Sequence, residues 1–132
     1  MLAQASIVGF IPVTDMQEAE EFFSGKLGLE VVERGPFGLA VAMANGQTIR
    51  CVPVPGAKPQ AFTILGWEVP EIHAAVRELR AAGVEPIRYS HFEQDADGVW
   101  TAPGGDAQVV WFNDPFGNVL SLSQHAGKAQ AR

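Results

Sequence analysis

The feature that most constrains this chain is an internal repeat, because two copies of one unit fix an architecture more firmly than local propensity does. Each copy has an apolar strand, an amphipathic helix and a second strand, in the same order and at nearly the same spacing. The first copy places them at residues 7–13, 15–27 and 29–33, and the second at 62–69, 70–82 and 84–88. A hairpin completes each copy, so the sequence predicts two β-α-β-β-β modules of an α+β domain.

The helices of the two copies have comparable start signals. Asp15, or alternatively Thr14, can cap the first helix, and Glu18 stands three residues after Asp15 as in a capping box. Pro70 is expected in the first turn of the second helix. The apolar positions at helical spacing are Ala19, Phe22, Phe23 and Leu27 in the first helix and Ile72, Val76 and Leu79 in the second. Gly28 and Gly83 are suited to the helix ends.

Two hairpins follow from their turn residues. Residues 39–44 and 48–53 flank Asn45-Gly46, the pair that a type I′ turn requires. Residues 109–112 and 119–124 flank the second turn, 114–118. The second copy also contains an insertion, residues 91–105, whose Gly, Asp and Pro content indicates a long loop.

Strand alternation divides each strand into a face that meets the helix and a face that does not. In the first strand Ile11 and Val13 fall on the helix side, and in the last strand Leu120 and Leu122 do. The opposite face is apolar on the first strand of each module and polar on the last. Its members include Val8, Phe10, Arg50, Ile64, Gly66, Glu68, Ser121, Ser123 and His125. A mixed lining of this kind suits a cavity for a small molecule.

Two stretches resemble the vicinal oxygen chelate superfamily, which includes glyoxalase I, bleomycin-resistance proteins, fosfomycin-resistance enzymes and extradiol dioxygenases. "IPVTDMQEAEEFFSGKLGLEVVE" is similar to the family's strand-helix opening, and "WFNDPFGNVLSLSQ" to its Asp-Pro-Asp-Gly-Asn hairpin, with Phe116 in place of the second Asp. The resemblance spans about residues 6 to 125. It implies two modules whose sheets curl around a shared cavity, and commonly a homodimer.

The same resemblance implies where a metal would be bound. Active members hold a divalent metal with His, Glu or Gln, one ligand near the start of each module and one on each module's last strand. The matching positions here are Val8, Ile64, Ser121, and either Thr48 or Arg50. None is a usual ligand, and two have no donor atom. The resemblance therefore predicts the fold and, at these positions, no metal and no cofactor.

The three histidines do not replace those ligands, since His73, His91 and His125 are expected on a helix, a loop and a strand end. His73 falls off the apolar stripe and is expected to face solvent. His125 either faces the cavity, by strand alternation, or belongs to a frayed end.

Other candidate residues each have two interpretations. Glu68 is a general base if burial raises its pKa, or a carboxylate at the cavity mouth paired with Arg50 or water. Arg50 either binds an anionic ligand or serves only as that partner. Trp100 either covers the cavity as part of a lid or anchors the loop. Trp67 and Trp111 are expected to serve packing, although the face that Trp111 takes is open.

The charge composition of the chain limits which classes of binding partner are expected. Nine Lys and Arg against 15 Asp and Glu give a net charge of −6, with the basic residues scattered, so neither nucleic acid nor an acidic membrane surface is expected as a partner. No apolar run approaches the length of a membrane span. The single cysteine, Cys51, favours a reducing cytoplasmic compartment.

These observations predict one domain, residues 1–132, with modules at 6–55 and 61–125 and a frayed tail at 126–132. The leading hypothesis is a metal-free protein that binds a small, partly aromatic molecule and forms a homodimer. The alternatives are a metal-dependent lyase, isomerase or dioxygenase, and an interaction module with a vestigial cavity; whether the protein is an enzyme stays open. The predicted ligand-binding residues are Phe10, Arg50, Ile64, Glu68, Trp100, Ser121 and His125.

Overall fold

A computed structural model of the protein describes residues 1–127. Within it the chain forms two units, one from Met1 to Lys58 and one beginning at Pro59. The frayed tail predicted for residues 126–132 falls mostly outside the described residues. The module boundaries at 6–55 and 61–125 remain a prediction, whereas the α+β class and the two modules are confirmed by the elements described below.

The first unit is a four-stranded sheet with one helical segment. After a 3₁₀ turn at Leu2–Gln4, its strands are β1 (Val8–Val13), β2 (Glu30–Gly35), β3 (Gly38–Ala42) and β4 (Thr48–Pro53), in the spatial order β1-β4-β3-β2. Strand β1 runs parallel to β4, and the other pairs are antiparallel. The helical segment is α1 (Met16–Glu20), which continues as a π-helix over Glu21–Lys26.

Helix α1 begins as predicted, because the Asp15 carboxylate accepts a hydrogen bond from the backbone N–H of Glu18 at 2.9 Å. The sequence pattern predicts one continuous α-helix, but the second half has the wider π turn, in which the N–H of Leu27 donates to the carbonyl of Phe22. Phe22 and Phe23 are both buried there, with their rings edge to face and their centroids 5.0 Å apart.

The turn between β3 and β4 differs from the predicted type I′ turn. The N–H of Gly46 donates to the carbonyl of Met43, so Ala44 and Asn45 occupy the centre of the turn. Gly46 follows with φ +88°, a left-handed conformation that glycine adopts without strain. The loop is therefore a three-residue hairpin with glycine at its last position, a common alternative to the two-residue turn.

The second unit repeats this order of elements, except that its second strand comes from a later part of the chain. Its elements are β5 (Thr63–Glu68), α2 (Ile72–Ala81), β6 (Trp100–Thr101), β7 (Ala107–Asn113) and β8 (Val119–His125). The sheet order is β5-β8-β7-β6, with β5 parallel to β8. Glu71 is the N-cap of α2, as Asp15 is of α1, which confirms that the two helices begin at equivalent positions. Pro70 precedes this cap instead of lying in the first turn.

The strand predicted at residues 84–88 is absent. Pro86 makes one isolated bridge to Phe112, and Ile87 donates one hydrogen bond to the carbonyl of Trp111. Proline has no N–H to donate and interrupts a ladder. The free part of the β7 edge is taken instead by β6, where Trp100 pairs with Val109. The insertion at 91–105 thus supplies a strand where an open loop is expected.

The insertion is held by side chains at its base. Gln94 accepts a hydrogen bond from the N–H of Tyr89 and donates to the carbonyls of Ile87 and Gly98. Asp95 accepts from the N–H groups of Asp97 and Val99. It also lies 2.8 Å from the Nε2 atom of His73, which is half-buried rather than freely exposed on α2. These contacts fix the segment that leads into β6.

Each core lies between a sheet and its own helix, as the alternation predicts. Ile11, Val13, Ile49 and Cys51 are buried in the first unit, and Val110, Phe112, Leu120 and Leu122 in the second. In β8, Gln124 lies on the same helix-facing side as Leu120 and Leu122. Its side chain accepts a hydrogen bond from the first N–H of α2 at 2.8 Å. The residues between these positions occupy the opposite face.

Candidate functional site

The face of the second sheet opposite α2 brings together more of the predicted site residues than any other described surface. Glu68 on β5 and Ser121 and His125 on β8 alternate with residues directed to the core. Register places Gly66 beside Ser121 and Glu68 beside Ser123. The parallel pairing of β5 with β8 therefore builds this part of the site.

Glu68 and His125 form a hydrogen-bonded pair that includes Ser123. The backbone N–H of His125 donates to Glu68 Oε2 at 2.7 Å, and His125 Nδ1 lies 2.8 Å from Oε1. The Ser123 hydroxyl donates to Oε1 at 2.9 Å. His125 is thus an ordered residue of β8, and its interpretation as part of a frayed end is wrong.

The pKa of Glu68 is lower than the ordinary value for a glutamate. Partial burial acts to raise it, but the hydrogen bonds from the His125 ring, the His125 backbone and Ser123 favour the ionised carboxylate and outweigh burial. The sequence interpretation of Glu68 as a general base with a raised pKa is therefore wrong. A carboxylate held this way orients the histidine ring instead of taking up a proton itself.

Aromatic side chains lie along the other edge of the same face. Trp111 alternates with the buried residues Val110 and Phe112, so it points away from α2, and it pairs across the sheet with Ser121. The Phe92 ring stacks on Trp111 at 4.9 Å with an interplanar angle of 5°. Trp100 lies 5.0 Å from Phe92, and Tyr89 lies edge to face with Trp111 at 5.3 Å. We call Tyr89, Phe92, Trp100 and Trp111 the aromatic cluster.

Trp100 therefore reaches the site from strand β6 and not from an open lid. Pairing with Val109 fixes its backbone, and Val109 in turn pairs with Ser123. Trp100, Val109, Ser123 and Glu68 form one row across four strands. Strands are spaced by about 4.8 Å, so the backbones of Trp100 and Ser123 are separated by roughly 10 Å.

Between the aromatic cluster and the Glu68–His125 pair the face is lined by small side chains. A Cβ built at Gly66 would lie 2.5 Å from the Ser121 Oγ atom and 3.2 Å from the Ser121 carbonyl oxygen. The Ser121 hydroxyl therefore occupies the space above Gly66, which no larger residue could share. Ile64 lies at a register shift at the start of β5 and is 36% exposed.

The two remaining predicted residues lie in the first unit, on the face opposite α1. Phe10 and Arg50 are register partners on β1 and β4. Phe10 is 67% exposed. The Arg50 guanidinium donates to both carboxylate oxygens of Glu33 at 3.0 Å, and this pair lowers the pKa of Glu33. The predicted partner Glu68 has its own partners in the second unit.

The positions that correspond to metal ligands do not fit a metal. Val8 and Ile64 carry no donor atom, and Ser121 offers only a hydroxyl. At the fourth position Thr48 also offers only a hydroxyl, and Arg50 is a cation already paired with Glu33. Within residues 1–127 no group of three or more His, Cys, Asp or Glu side chains is placed to hold a metal ion. No helix in that range is long and apolar enough to span a membrane.

Sequence reasoning missed several residues of this face. The face of Trp111 could not be assigned because residues 109–112 are all apolar, and only the burial of Val110 and Phe112 in the structure decides it. Phe92 gave no signal because the insertion has no regular alternation, and Tyr89 follows directly on 84–88, a segment that does not form the predicted strand. Ser123 was placed on the correct face, but its bond to Glu68 depends on strand register.

Comparison with known proteins places these observations in a family. Residues 4–122 match the model of the Glyoxalase/Bleomycin resistance protein/Dioxygenase superfamily. A member of that superfamily from Sphaerobacter thermophilus has a similar structure, with a TM-score of 0.72, 21% identity, and coverage of 95% of this chain and 100% of the other. Among curated proteins, no sequence matches significantly.

Two further solved structures share the fold. A glyoxalase family protein from Bacillus anthracis has a TM-score of 0.71 at 19% identity, covering 92% of this chain and 95% of the other. A glyoxalase/dioxygenase from Nostoc punctiforme has a TM-score of 0.65 at 13% identity, with coverage of 92% and 91%. At these identities the likeness concerns the fold alone.

Proposed function

The chain belongs to the Glyoxalase/Bleomycin resistance protein/Dioxygenase superfamily, and on that premise we propose that it binds a small aromatic molecule without a catalytic metal. The observation that carries the proposal is the face of the second sheet with the aromatic cluster at one edge and the Glu68–His125 pair at the other. Aromatic side chains with a few oriented polar groups are typical of small-molecule sites.

The aromatic cluster supplies the binding surface in this proposal. Trp100, Trp111 and Phe92 are each half-buried and contact one another on the face opposite α2, so part of their apolar ring surface stays open to solvent. Trp67 is half-buried too, but it stacks on the buried Phe112 at 6.4 Å on the helix side, where it serves packing. A ligand ring placed against the exposed parts of the cluster would gain stacking and burial of apolar area.

The side chains at the family's metal-ligand positions support the proposal that no catalytic metal is bound. Val8 and Ile64 cannot coordinate a metal whatever their orientation. Elemental analysis of protein purified without chelators tests this part. A stoichiometric divalent metal, whose removal abolishes binding or an activity, would favour the alternative of a metal-dependent lyase, isomerase or dioxygenase.

Ligand binding itself is tested by tryptophan fluorescence titration with a panel of aromatic compounds. A bound ring should quench Trp100 and Trp111. Trp111→Ala should weaken binding by about 5- to 150-fold, since stacking contributes about 1–3 kcal/mol per ring. Trp67→Phe is the matched control and should keep the affinity. Failure of the whole panel to bind would overturn the proposal and favour an interaction module.

We also propose a homodimer in the cytoplasm. The dimer is supported by apolar side chains that remain exposed on β1, where Val8 is 48% and Phe10 67% exposed. The compartment is supported by the single cysteine, Cys51, which is buried as a thiol in the first unit. The predicted cavity formed by curled sheets and bordered by all seven named residues remains part of this proposal.

A further inference from the structure

We propose that His125 accepts a proton from the bound ligand, and that the ligand is a phenol or another ring bearing a weakly acidic O–H. This inference rests on the proposed function, because it assigns the chemistry of the same site. Three observations carry it. Glu68 orients the His125 ring, both carboxylate oxygens of Glu68 already accept hydrogen bonds from the protein, and the aromatic cluster lies on the same face.

The hydrogen bond to Glu68 selects one tautomer of His125. A carboxylate only accepts hydrogen bonds, so the proton of a neutral ring must be on Nδ1, which lies 2.8 Å from Glu68 Oε1. The other ring nitrogen, Nε2, then carries a free lone pair. Among the contacts of residues 1–127, none is made by Nε2. The side chain is 44% exposed, so a ligand can approach that atom.

Glu68 is not available to the ligand in the same way. Its Oε1 atom accepts from Ser123 and His125, and its Oε2 atom accepts from the His125 backbone. A cationic ligand would have to compete with three existing hydrogen bonds for this carboxylate. The group that the pair offers to a ligand is therefore a basic nitrogen, which matches an acidic proton or the anion left when that proton is transferred.

The proton transfer is balanced within the complex. The O–H bond of the phenol breaks, its electron pair stays on the phenolate oxygen, and the proton bonds to His125 Nε2. The imidazolium formed is stabilised by the ionised carboxylate of Glu68 at Nδ1, and its new N–H can donate back to the phenolate. No oxidant, metal or further reactant is needed. Glu68 acts here as a positioning residue, and His125 is the group that touches the ligand.

The aromatic cluster explains why the acidic group would be carried by a ring. Val109 and Ser123 are the only positions between Trp100 and Glu68 in the row across the sheet, and both side chains are small. His125 lies two residues beyond Ser123 on the same face of β8. A ring held against Trp100 or Trp111 can thus direct a substituent over Ser123 toward the imidazole.

A nitrophenol probe tests the inference, because its phenolate form absorbs at a longer wavelength than the neutral phenol. At a pH below the solution pKa of the free probe, wild-type protein should bind it and generate the phenolate band. His125→Gln should still quench with the probe but lose the band. Glu68→Gln should reduce the phenolate fraction about two- to fivefold, the effect of a partly exposed ion pair. Glu78→Gln, an exposed substitution on α2 outside the site, should leave the band unchanged.

A second measurement shows whether Glu68 orients the His125 ring or only stabilises the fold. Nitrogen NMR of His125 should report the Nδ1–H tautomer in the free wild-type protein, and this preference should weaken in Glu68→Gln while the backbone spectrum stays native. The inference is overturned if bound nitrophenol stays neutral, if the band persists in His125→Gln, or if the neutral ring in the free protein carries its proton on Nε2 instead of Nδ1. It is also overturned if other aromatic compounds bind and nitrophenol does not, a result that leaves the proposed function intact.

Discussion

Glu68 and His125 are joined through both a side chain and a backbone contact: Nδ1 lies 2.8 Å from Oε1, and the backbone N–H donates to Oε2 at 2.7 Å. The first residue ends β5 and the second ends β8, so the pair fastens two parallel strands at their carboxyl ends. Orientation of a histidine and stabilisation of the sheet edge are thus consequences of the same two contacts.

The pair should give stability a specific pH dependence. The pKa of Glu68 is lowered in the folded protein, so the unfolded chain binds the proton more tightly and stability falls as the solution is acidified. The contribution should be complete above the ordinary glutamate pKa of 4.5 and should disappear as the pH falls through the lower folded value. Urea unfolding of wild type and Glu68→Gln should show at most about 1 kcal/mol of difference at neutral pH, because the side chain is 34% exposed.

The same measurement on His125→Gln and on the double variant completes a thermodynamic cycle. A coupling energy between the two substitutions is expected near neutral pH, since each removes one side of a direct contact. Additive effects at every pH would show that the pair does not contribute to stability.

The turn residue Asp114 should show a pH dependence of opposite sign. Burial raises the pKa of its carboxyl above 3.8, even though the side chain accepts hydrogen bonds from Phe116 N–H, Asn118 N–H and the Asn118 amide. The folded state then holds the proton at pH values where the unfolded chain has lost it, so stability falls as pH rises through that interval.

Asp114→Asn removes this titration and replaces one acceptor oxygen by an amide nitrogen that faces the Asn118 amide. We expect a loss of about 1–3 kcal/mol at the acid end, where the wild-type carboxyl is protonated, and a smaller loss at higher pH. Urea titrations across the acidic range measure both. A loss that grows with rising pH would contradict the expected sign.

How far the sequence predicted the fold depends on how local each signal is. Apolar alternation identified the buried face of β1, β4 and β8, and the Asp15 cap was correct because capping involves only neighbouring residues. The strand expected at 84–88 failed since Pro86 removes a donor that the apolar pattern does not register. The turn at Gly46 differed by one position, which alternation cannot resolve.

The candidate site was predicted less completely, because its important contacts link residues distant in sequence. Strand alternation placed Glu68, Ser121 and His125 on one face of the sheet. It could not show that Glu68 would bind His125 rather than Arg50. That outcome depends on the register of β5 against β8. The aromatic cluster depends on the path of the chain from Tyr89 through an insertion without periodicity, so neither Tyr89 nor Phe92 could be assigned from sequence.

Gly66→Ala should damage the site directly. The new methyl group would lie 2.5 Å from Ser121 Oγ and 3.2 Å from its carbonyl oxygen, so both the side chain and the strand must shift. We expect a cost of about 1–3 kcal/mol in unfolding free energy, together with weaker ligand binding. Gly35→Ala on β2 is the matched control, since nothing lies within 4 Å of its added Cβ. Equal melting curves for the two variants would refute the close approach.

Neighbouring residues of β8 should respond in opposite ways to truncation. Leu120 is fully buried against the helix side, and Leu120→Ala should cost about 2–5 kcal/mol. Ser121 is half-buried on the opposite face, so Ser121→Ala should change stability by no more than about 0.5 kcal/mol. Chemical unfolding of both variants decides whether the faces are assigned correctly: a harmless Leu120→Ala with a damaging Ser121→Ala would reverse them.

The exposed apolar side chains of β1 lead to a prediction about assembly. Phe10 is 67% exposed and Val8 48%, on a strand that lies at the edge of its sheet. Apolar side chains left in water at a sheet edge favour burial against another molecule, and we expect a homodimer at micromolar concentration by light scattering. Phe10→Glu should shift the population to monomer, because a carboxylate is costly to bury at an apolar contact. Glu30→Gln, an exposed substitution on β2, is the control and should remain dimeric. A monomeric wild type would contradict the prediction, and a dimeric Phe10→Glu would place the interface elsewhere.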